Sequence, residues 1–291
     1  NPDIILHLKS ILSYDGDIKV DLSFFNESGD LYRKIRNTLR FIVSNLFDFP
    51  HNHDLTTVEA YLEKIDTNSV DSYVLDLTQQ FQKNVVAYYE SYQFRDANQL
   101  IYQFCNDTLS SFYCSAVKDR LYCDQPASDR RFRTQHTLRY ILDSLVRCLS
   151  PILPHTCDEV MESLLGSDSK TSQGTQLLRF SLPTSNPKWA HAMSTRKKVL
   201  KLLEDAKETG IENSLDAGIE IPINEDISEL SDDLADIFGV SRVKFSSVSE
   251  LTIIDLRNEL CCERSWKRDD TVSERPDGAI LSERDYYATK K

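Results

Sequence analysis

Apolar residues at helical spacing constrain the fold of this chain more than any other feature of its sequence. Between about Ser23 and Phe49 they are spaced by four, four, three and four positions, at Leu31, Ile35, Leu39, Ile42 and Leu46. Such spacing puts the side chains on one face of an α-helix. The pattern recurs over residues 74–92, 97–112 and 138–149. The sequence therefore predicts four amphipathic helices.

A fifth, shorter helix is predicted after Pro151. Proline cannot continue the fourth helix, which is expected to end near Ser150. Thr156 and Glu159 have capping-box spacing, so the fifth helix is expected to start there and to stop at Gly166. Five helices joined by short loops predict an antiparallel helical bundle over residues 22–166.

The remainder of the chain has a different pattern. Residues 167–190 are interpreted as a linker, because Ser, Thr, Gly and Pro occur there without periodicity. Residues 191–257 predict a small α/β module, with helices at about 193–208 and 227–238 and strands at 217–223 and 240–248. Residues 258–291 form a charged tail of poor periodicity. The predicted fold class is mainly α, an antiparallel helical bundle with a small C-terminal α/β module.

The composition indicates the kind of cellular environment in which the protein is expected. No apolar run approaches the roughly 20 residues that cross a bilayer, so no membrane partner is expected. The seven cysteines are an odd number, and several lie on apolar helical stretches where Cys packs as a small hydrophobe. This usage favours a reducing compartment over a disulfide framework.

The charge of the chain is unevenly distributed. A formal net charge of -12 argues against a nucleic-acid partner, because phosphate contacts need Lys and Arg. Acidic residues crowd positions 204–236, however, whereas basic residues cluster at positions 33–40 and 118–147. We therefore expect that a polyanion can bind the basic clusters while the acidic segment faces away.

Sequence signatures of catalysis are missing. The eight glycines form no phosphate-binding loop, and neither a GxSxG nucleophile turn nor an HExxH helix occurs. His51, His53 and Asp54 share a polar loop and resemble metal ligands, but two histidines two positions apart in such a loop are more often solvated. We predict neither a catalytic residue nor a metal site.

The basic residues of the first predicted helix form a stripe. Arg33, Arg36 and Arg40 lie at i, i+3 and i+7, with Asn37 beside them and the apolar face turned away. A planar guanidinium suits phosphate oxygens or base edges. Judged from composition alone, such a stripe is more often a solvated surface that forms salt bridges with neighbouring helices. These residues alone do not decide between an RNA-binding stripe and a solvated surface.

Aromatic residues offer a second possible contact with unpaired bases. Tyr88, Tyr89, Tyr92 and Phe94 cluster at the end of the second predicted helix, and Phe112 with Tyr113 follow at the end of the third. Aromatic rings stack on unpaired bases, but rings at helical spacing more often belong to a core.

Several collinear motifs resemble one known family. Residues 32–41 (YRKIRNTLRF) resemble the segment that opens the anticodon-binding helical domain of isoleucyl-tRNA synthetases. Residues 89–94, 103–105, 109–113 and 118–122 (KDRLY) resemble that domain's next two helices. Residues 145–154 and 156–160 match the end of its fourth helix and the start of its fifth. Order and spacing agree over roughly residues 14–165, including the stretch 13–20 that joins the family's catalytic core to the bundle.

This resemblance assigns expected roles to residues. It implies the class I synthetase anticodon-binding fold and isoleucine tRNA as the partner. Arg33, Arg36 and Arg40 are then expected to contact phosphates or bases, Asn37 base edges, and Lys118 and Arg120 the RNA backbone. The predicted tRNA-binding residues are Arg33, Lys34, Arg36, Asn37, Arg40, Lys118, Arg120 and Trp266.

The resemblance also implies a context for the chain. Residues 1–21 are expected to connect the bundle to an upstream catalytic domain, which uses ATP to activate isoleucine and transfers it to the tRNA. The family's HIGH-like and KMSKS-like signatures do not occur here, so this chain alone is expected to be inactive. The wording of the motifs favours the bacterial and mitochondrial branch of the family. The expected location is therefore the mitochondrial matrix, or alternatively the cytoplasm, and the protein is expected to be a monomer. Valyl- and leucyl-tRNA synthetases share the bundle, and a purely structural helical interaction domain is the alternative from another class.

The tail departs from the family pattern. Bacterial-type members end in a zinc module with two CxxC pairs. Here Ser265 follows Cys262 in place of a second sulfur, and Ser282 with Asp285 stand where the second pair would be. Structural zinc needs four S or N ligands, and Cys261, adjacent to Cys262, lacks the spacing to replace Ser265. No zinc is expected, and the tail is interpreted as a degenerated zinc module that contacts RNA through Trp266 and its neighbours Arg264, Lys267 and Arg268.

Overall fold

The computed structural model describes residues 2–12, 22–50, 54–165 and 178–290. Chain contacts divide the protein into two compact units. The first comprises Asn1–Ile65, Val74–Phe112 and Gln135–Pro183, and the second comprises Asp66–Tyr73, Tyr113–Thr134 and Thr184–Lys291. The domain limits given above from sequence stay a prediction. Of the segments interpreted there, residues 13–20, 51–53 and 166–177 lie outside the described residues.

The described residues are mainly helical, which confirms the predicted fold class. The helices are α1 (Pro2–Ile11), α2 (Leu22–Ser44), α3 (Leu55–Leu62), α4 (Val70–Glu90), α5 (Phe94–Gln103), α6 (Cys114–Cys123), α7 (Asp129–Leu149), α8 (Pro154–Leu165), α9 (Trp189–Lys207), α10 (Ser231–Phe238) and α11 (Glu283–Thr289). The strands are β1 (Ala217–Pro222), β2 (Arg242–Ser246), β3 (Thr252–Asp255), β4 (Ser273–Glu274) and β5 (Ile280–Leu281). A π-helical segment, Phe104–Tyr113, connects α5 to α6. No helix in these residues is long and apolar enough to span a bilayer.

The first unit is built on the apolar face of α2. Ile35, Leu39 and Ile42 have no exposed surface, as the helical spacing predicts. Helix α2 packs against α1, α5 and α8. Helix α1 has no counterpart among the predicted helices, because its buried face carries Asp3 and His7 while Ile5 and Leu6 are exposed. Because polar residues lie on the buried face of this helix, its sequence does not show the apolar spacing by which the other helices were predicted.

Helix α8 begins two residues before its predicted start. Pro154 occupies the first helical turn, where a missing N–H costs nothing. Thr156 is therefore inside the helix and forms no capping box. Its backbone N–H and its hydroxyl both donate to Asp3 Oδ2, at 2.7 and 2.6 Å. The predicted start at Thr156 was wrong because the Thr156 side chain bonds to Asp3 of another helix and does not cap its own helix.

The second unit contains the small α/β part. Strand β1 pairs in parallel with β2, Gly218 opposite Arg242, and antiparallel with β3, Ala217 opposite Asp255. Helix α10 connects the parallel strands and ends at Gly239, whose φ of 71° is the left-handed conformation that favours glycine. Strand β3 was not predicted. The tail, in which the sequence showed only poor periodicity, contains the β4–β5 hairpin and α11.

Candidate nucleic-acid interface

The predicted arginine stripe lies on the exposed face of α2. Arg33, Asn37 and Arg40 are exposed, and the Arg36 side chain keeps 47% of its surface. Lys34 is half-buried. Over the seven residue steps from Arg33 to Arg40 a helix rises about 10 Å. The stripe therefore presents several cationic donors along one short line.

Two of the three arginines have carboxylate partners within the first unit. Arg33 pairs with Asp30 on α2, and Arg36 pairs with Glu159 on α8. Arg40 has no ion pair among the residues that the structure describes. Pairs this exposed are each worth about 0 to 1 kcal/mol. A phosphate group can therefore replace either carboxylate at small cost.

A groove of about 310 Å³ runs beside the stripe. Helix α2 contributes Arg36, Asn37, Arg40, Val43 and Ser44 to its lining, and α8 contributes Thr156, Glu159, Val160 and Ser163. Beside two valines and the Glu159 carboxylate, the lining carries guanidinium, amide and hydroxyl groups, which can donate hydrogen bonds to phosphates and base edges.

Buried hydrogen bonds fix the position of the two helices that form the groove. The Tyr32 hydroxyl on α2 lies 3.1 Å from Thr156 Oγ1 on α8, and both atoms are buried. Thr156 is held in turn by Asp3 on α1. Because three helices meet at this network, the groove is preformed rather than assembled on binding.

Lys118 and Arg120 lie on α6 of the second unit, on different faces. Lys118 is exposed, as an RNA contact requires. Arg120 is completely buried, so its predicted contact with the RNA backbone was wrong. Residues two apart on a helix point in nearly opposite directions. Arg120 instead shares its face with buried Val117 and Leu121.

Arg120 is the centre of a buried charge cluster. Its guanidinium contacts Asp233, Asp236 at 2.8 Å and Asp71 at 3.4 Å. Burial alone would lower the pKa of Arg120, but the three carboxylates outweigh it and raise the pKa above its ordinary value. Sequence reasoning missed these three aspartates, which are 49 to 116 residues away along the chain.

Further cations complete this cluster within the second unit. Arg133 lies 2.9 Å from Asp71, and Lys267 lies 2.7 Å from Asp236. Burial opposes ionisation of Asp236, yet Lys267, Arg120 and Arg130 hold its pKa below the ordinary value. Asp236 therefore stays charged at neutral pH, and the buried ion pairs give this cluster a structural role.

Trp266 is the most accessible of the residues proposed in the tail. Its side chain is 63% exposed, and its φ of 62° is uncommon for a residue other than glycine. The neighbouring side chains form ion pairs or hydrogen bonds within the second unit. Lys267 pairs with Asp236, Arg268 pairs with Asp216 at 2.8 Å, and Arg264 donates to the Tyr122 carbonyl. Only Trp266 of these four presents most of its side chain to solvent.

The aromatic residues divide between core and surface. Phe112 and Tyr113 are buried. Tyr89 donates its hydroxyl to the Cys148 carbonyl, and burial raises the pKa of its phenol. Tyr92 is 69% exposed and lies edge-on to Phe94, with ring centroids 6.2 Å apart. Tyr92 and Phe94 are thus the members of this group that an unpaired base can reach.

No metal site is apparent in the described residues. Residues 2–12, 22–50, 54–165 and 178–290 contain no group of three or more His, Cys, Asp and Glu side chains that could hold an ion. Of the His51–Asp54 loop, the described Asp54 caps α3, accepting hydrogen bonds from the Thr57 amide and hydroxyl at 2.9 Å each. These bonds lower the pKa of Asp54.

A family model matches the chain. The anticodon-binding domain of tRNA ligase matches residues 71–221, which is more than half of the 291 residues. This chain belongs to the family of tRNA-ligase anticodon-binding domains. The matched part contains Lys118 and Arg120, whereas the arginine stripe precedes it and Trp266 follows it.

Curated relatives extend this match. The chain is similar to isoleucine–tRNA ligases of Natranaerobius thermophilus (34% identical, 81% of this chain and 26% of the ligase), Petrotoga mobilis (31% identical, 94% and 31%) and Nitrosomonas europaea (30% identical, 97% and 31%). The similarity therefore includes α2 and most of the tail of this anticodon-binding domain. The chain spans less than a third of the length of these relatives.

Proposed function

We propose that this anticodon-binding domain binds the anticodon stem and loop of isoleucine tRNA at the groove between α2 and α8. The observation that supports this proposal most strongly is the exposed arginine stripe beside a preformed polar groove. Family membership supports tRNA as the partner, and the relatives' name supports isoleucine tRNA. Arg40, the arginine with no ion pair among the described residues, is the strongest contact in this proposal. Asn37 supplies base-edge hydrogen bonds, and Lys34, Lys118 and Trp266 add contacts with the RNA.

The test is a titration of fluorescently labelled isoleucine tRNA, followed by anisotropy at several salt concentrations. Arg40→Ala should weaken binding by about 1 to 3 kcal/mol if it contacts a base, or reduce the salt slope by about 1 if it contacts a phosphate. Lys83→Ala is the matched control, because Lys83 is an exposed cation of the first unit outside the groove. Equal binding by both variants would refute the proposal.

Glu159 provides an opposite test of the same groove. Its carboxylate pairs with Arg36 and so competes with a phosphate for that guanidinium. Glu159→Gln removes the competitor and should strengthen tRNA binding by up to about 1 kcal/mol, the upper value for an exposed pair. Unchanged affinity would mean that RNA does not approach Arg36, and a loss of affinity would contradict competition between Glu159 and a phosphate.

We further propose that this domain positions the tRNA for a catalytic domain of the same protein, which uses ATP to join isoleucine to the tRNA. The names of the relatives, and the fraction of their length that the chain spans, support this proposal. The chain alone should show no isoleucine-dependent exchange of pyrophosphate into ATP, and the full protein should show it. Exchange by the isolated chain would contradict the proposal.

The location proposed for the full protein is the mitochondrial matrix, on the wording of the helix motifs, and its proposed state is a monomer. A tagged full-length protein should colocalise with mitochondria, whereas a diffuse signal would favour the cytoplasm. Sedimentation should give the mass of one chain.

A further inference from the structure

Four positions of the tail come together although they are far apart in sequence. Cys262 and Ser265 lie in a tight turn, closed by hydrogen bonds from Cys262 N to the Lys267 carbonyl and from Trp266 N to the Cys262 carbonyl, both 2.9 Å. Ser282 and Asp285 begin α11 after the β4–β5 hairpin. These two pairs are the positions at which the family resemblance places the ligands of a zinc module. We call residues 261–289 the knuckle.

Three of these four residues, Cys262, Ser282 and Asp285, bond directly to one another. Cys262 Sγ donates to Asp285 Oδ2 at 3.1 Å, and Ser282 Oγ donates to the same oxygen at 2.8 Å. The Ser282 amide donates to Cys262 Sγ at 3.4 Å. Cys262, Ser282 and Asp285 are all buried. Asp285 is therefore the common acceptor at the centre of the group.

The residues present do not fit zinc. Zinc takes thiolate, imidazole or carboxylate ligands, and of the four positions only Cys262 and Asp285 carry such a group. Sulfur ligands about 2.3 Å from zinc in a tetrahedron are about 3.8 Å from each other. The contacts of 2.8 and 3.1 Å around Asp285 are shorter and leave no space for an ion between the partners.

Part of this arrangement is ordinary helix capping. Ser282 is the N-cap of α11, and its hydroxyl accepts from the Asp285 amide at 3.2 Å while Asp285 accepts from that hydroxyl. Capping does not account for Cys262, which is 23 residues away from Asp285 and bonds to the same carboxylate oxygen. Burial raises the pKa of Asp285, but hydrogen bonds from Cys262 and Ser282 outweigh it and lower the pKa.

The knuckle has other sources of stability as well. Cys262, Val272 and Leu281 form a small core against which Ala279, Ile280 and Tyr286 pack. Arg284 pairs with Asp119 of α6 at 3.0 Å within the same unit. Segments below about 40 residues usually need a metal, disulfides or a partner to fold. Here α6 is that partner.

We propose that the knuckle is a metal-free derivative of a zinc module, in which the Asp285 carboxylate takes the place of the ion by accepting hydrogen bonds from Cys262 and Ser282. The ligand positions have kept their spatial arrangement while the side chains have been exchanged. The proposal predicts that three substitutions to cysteine, at positions 265, 282 and 285, restore a zinc site.

The experiment is native mass spectrometry of the chain after incubation with equimolar zinc chloride and desalting. The unchanged chain should carry no zinc. The triple variant Ser265→Cys, Ser282→Cys, Asp285→Cys should carry one zinc per chain, and Ser265→Cys alone is the matched control that should carry none. One zinc on the unchanged chain, or none on a folded triple variant, would overturn the proposal.

Hydrogen exchange keeps the proposal testable if the triple variant misfolds. Asp285→Ala should remove protection from the amides of Cys262 and Ser282, and zinc should not restore it. Asp285→Asn, which can still accept hydrogen bonds, should retain part of the protection. Protection in Asp285→Ala equal to that of the unchanged chain would overturn the role of the carboxylate.

Discussion

Replacing Arg120 by methionine should strongly destabilise the second unit. The substitution keeps a long side chain but removes the cation that contacts three buried carboxylates. Asp71 keeps Arg133 at 2.9 Å, and Asp236 keeps Lys267 at 2.7 Å. Asp233 is left with the Val70 amide at 2.7 Å and with Arg133 at 3.9 Å. One buried charge therefore loses its main partner.

The expected magnitude follows from that single orphaned charge. Removing one partner of a buried ion pair costs about 3 to 5 kcal/mol of unfolding free energy. The double variant Arg120→Met, Asp233→Asn removes the orphaned charge too and should recover about 1 to 3 kcal/mol of this loss. Lys118→Ala, an exposed cation on the same helix, is the control and should change stability by less than about 0.5 kcal/mol.

Urea unfolding followed by Trp fluorescence measures this effect in the right part of the chain. Both tryptophans, Trp189 and Trp266, belong to the second unit. Trp189 is buried and stacks on Tyr73 at 5.4 Å, so its emission reports unfolding of this unit. A Trp266→Phe background leaves it as the single reporter. A loss below about 1 kcal/mol for Arg120→Met, with an unchanged urea dependence, would refute the buried-cluster account.

Two pH effects are expected. Burial lowers the pKa of His7 to about 4 from 6.5, so the stabilisation of α1 is complete above about pH 6.5 and declines as pH falls toward 4. Between pH 7.5 and 5 this amounts to about 2 kcal/mol, measurable as increased hydrogen exchange in α1, and His7→Gln should remove the pH dependence. Burial raises the pKa of Asp119, but Arg284 and Lys267 outweigh it and lower the pKa to about 2. Its contribution, also about 2 kcal/mol, is present above about pH 4 and is lost as pH falls through 2. Trp189 emission should show the loss, and an Asp119→Asn variant with an equally steep acid transition would contradict it.

The sequence predicted best where apolar spacing and burial coincide. Helix α2 shows this, because Ile35, Leu39 and Ile42 lie on one face and leave Arg33, Arg36 and Arg40 on the other. Helix α1 shows the opposite case, since its buried residues include Asp3 and His7, whose partners Thr156 and Ser28 belong to other helices. A hydrophobic pattern cannot reveal a face that is buried through polar bonds.

Arg120 could have been predicted better from local spacing alone. It lies three residues after Val117 and one before Leu121, on the apolar face of α6. Motif similarity gave the residue a role in binding because charge was taken as a sign of exposure. Its carboxylate partners could not have been predicted, because Asp71, Asp233 and Asp236 come from distant parts of the sequence that only the tertiary fold brings together.

Site-specific crosslinking tests the binding of the anticodon arm at the α2–α8 groove most directly. The photoreactive residue p-benzoylphenylalanine, placed at position 37 in the groove, should crosslink to isoleucine tRNA on irradiation. The crosslinked nucleotides should map to the anticodon loop. The same residue at position 83, exposed and outside the groove, should give little product. Crosslinks from position 37 that map to the acceptor arm, or equal yields from the two positions, would contradict the proposed interface.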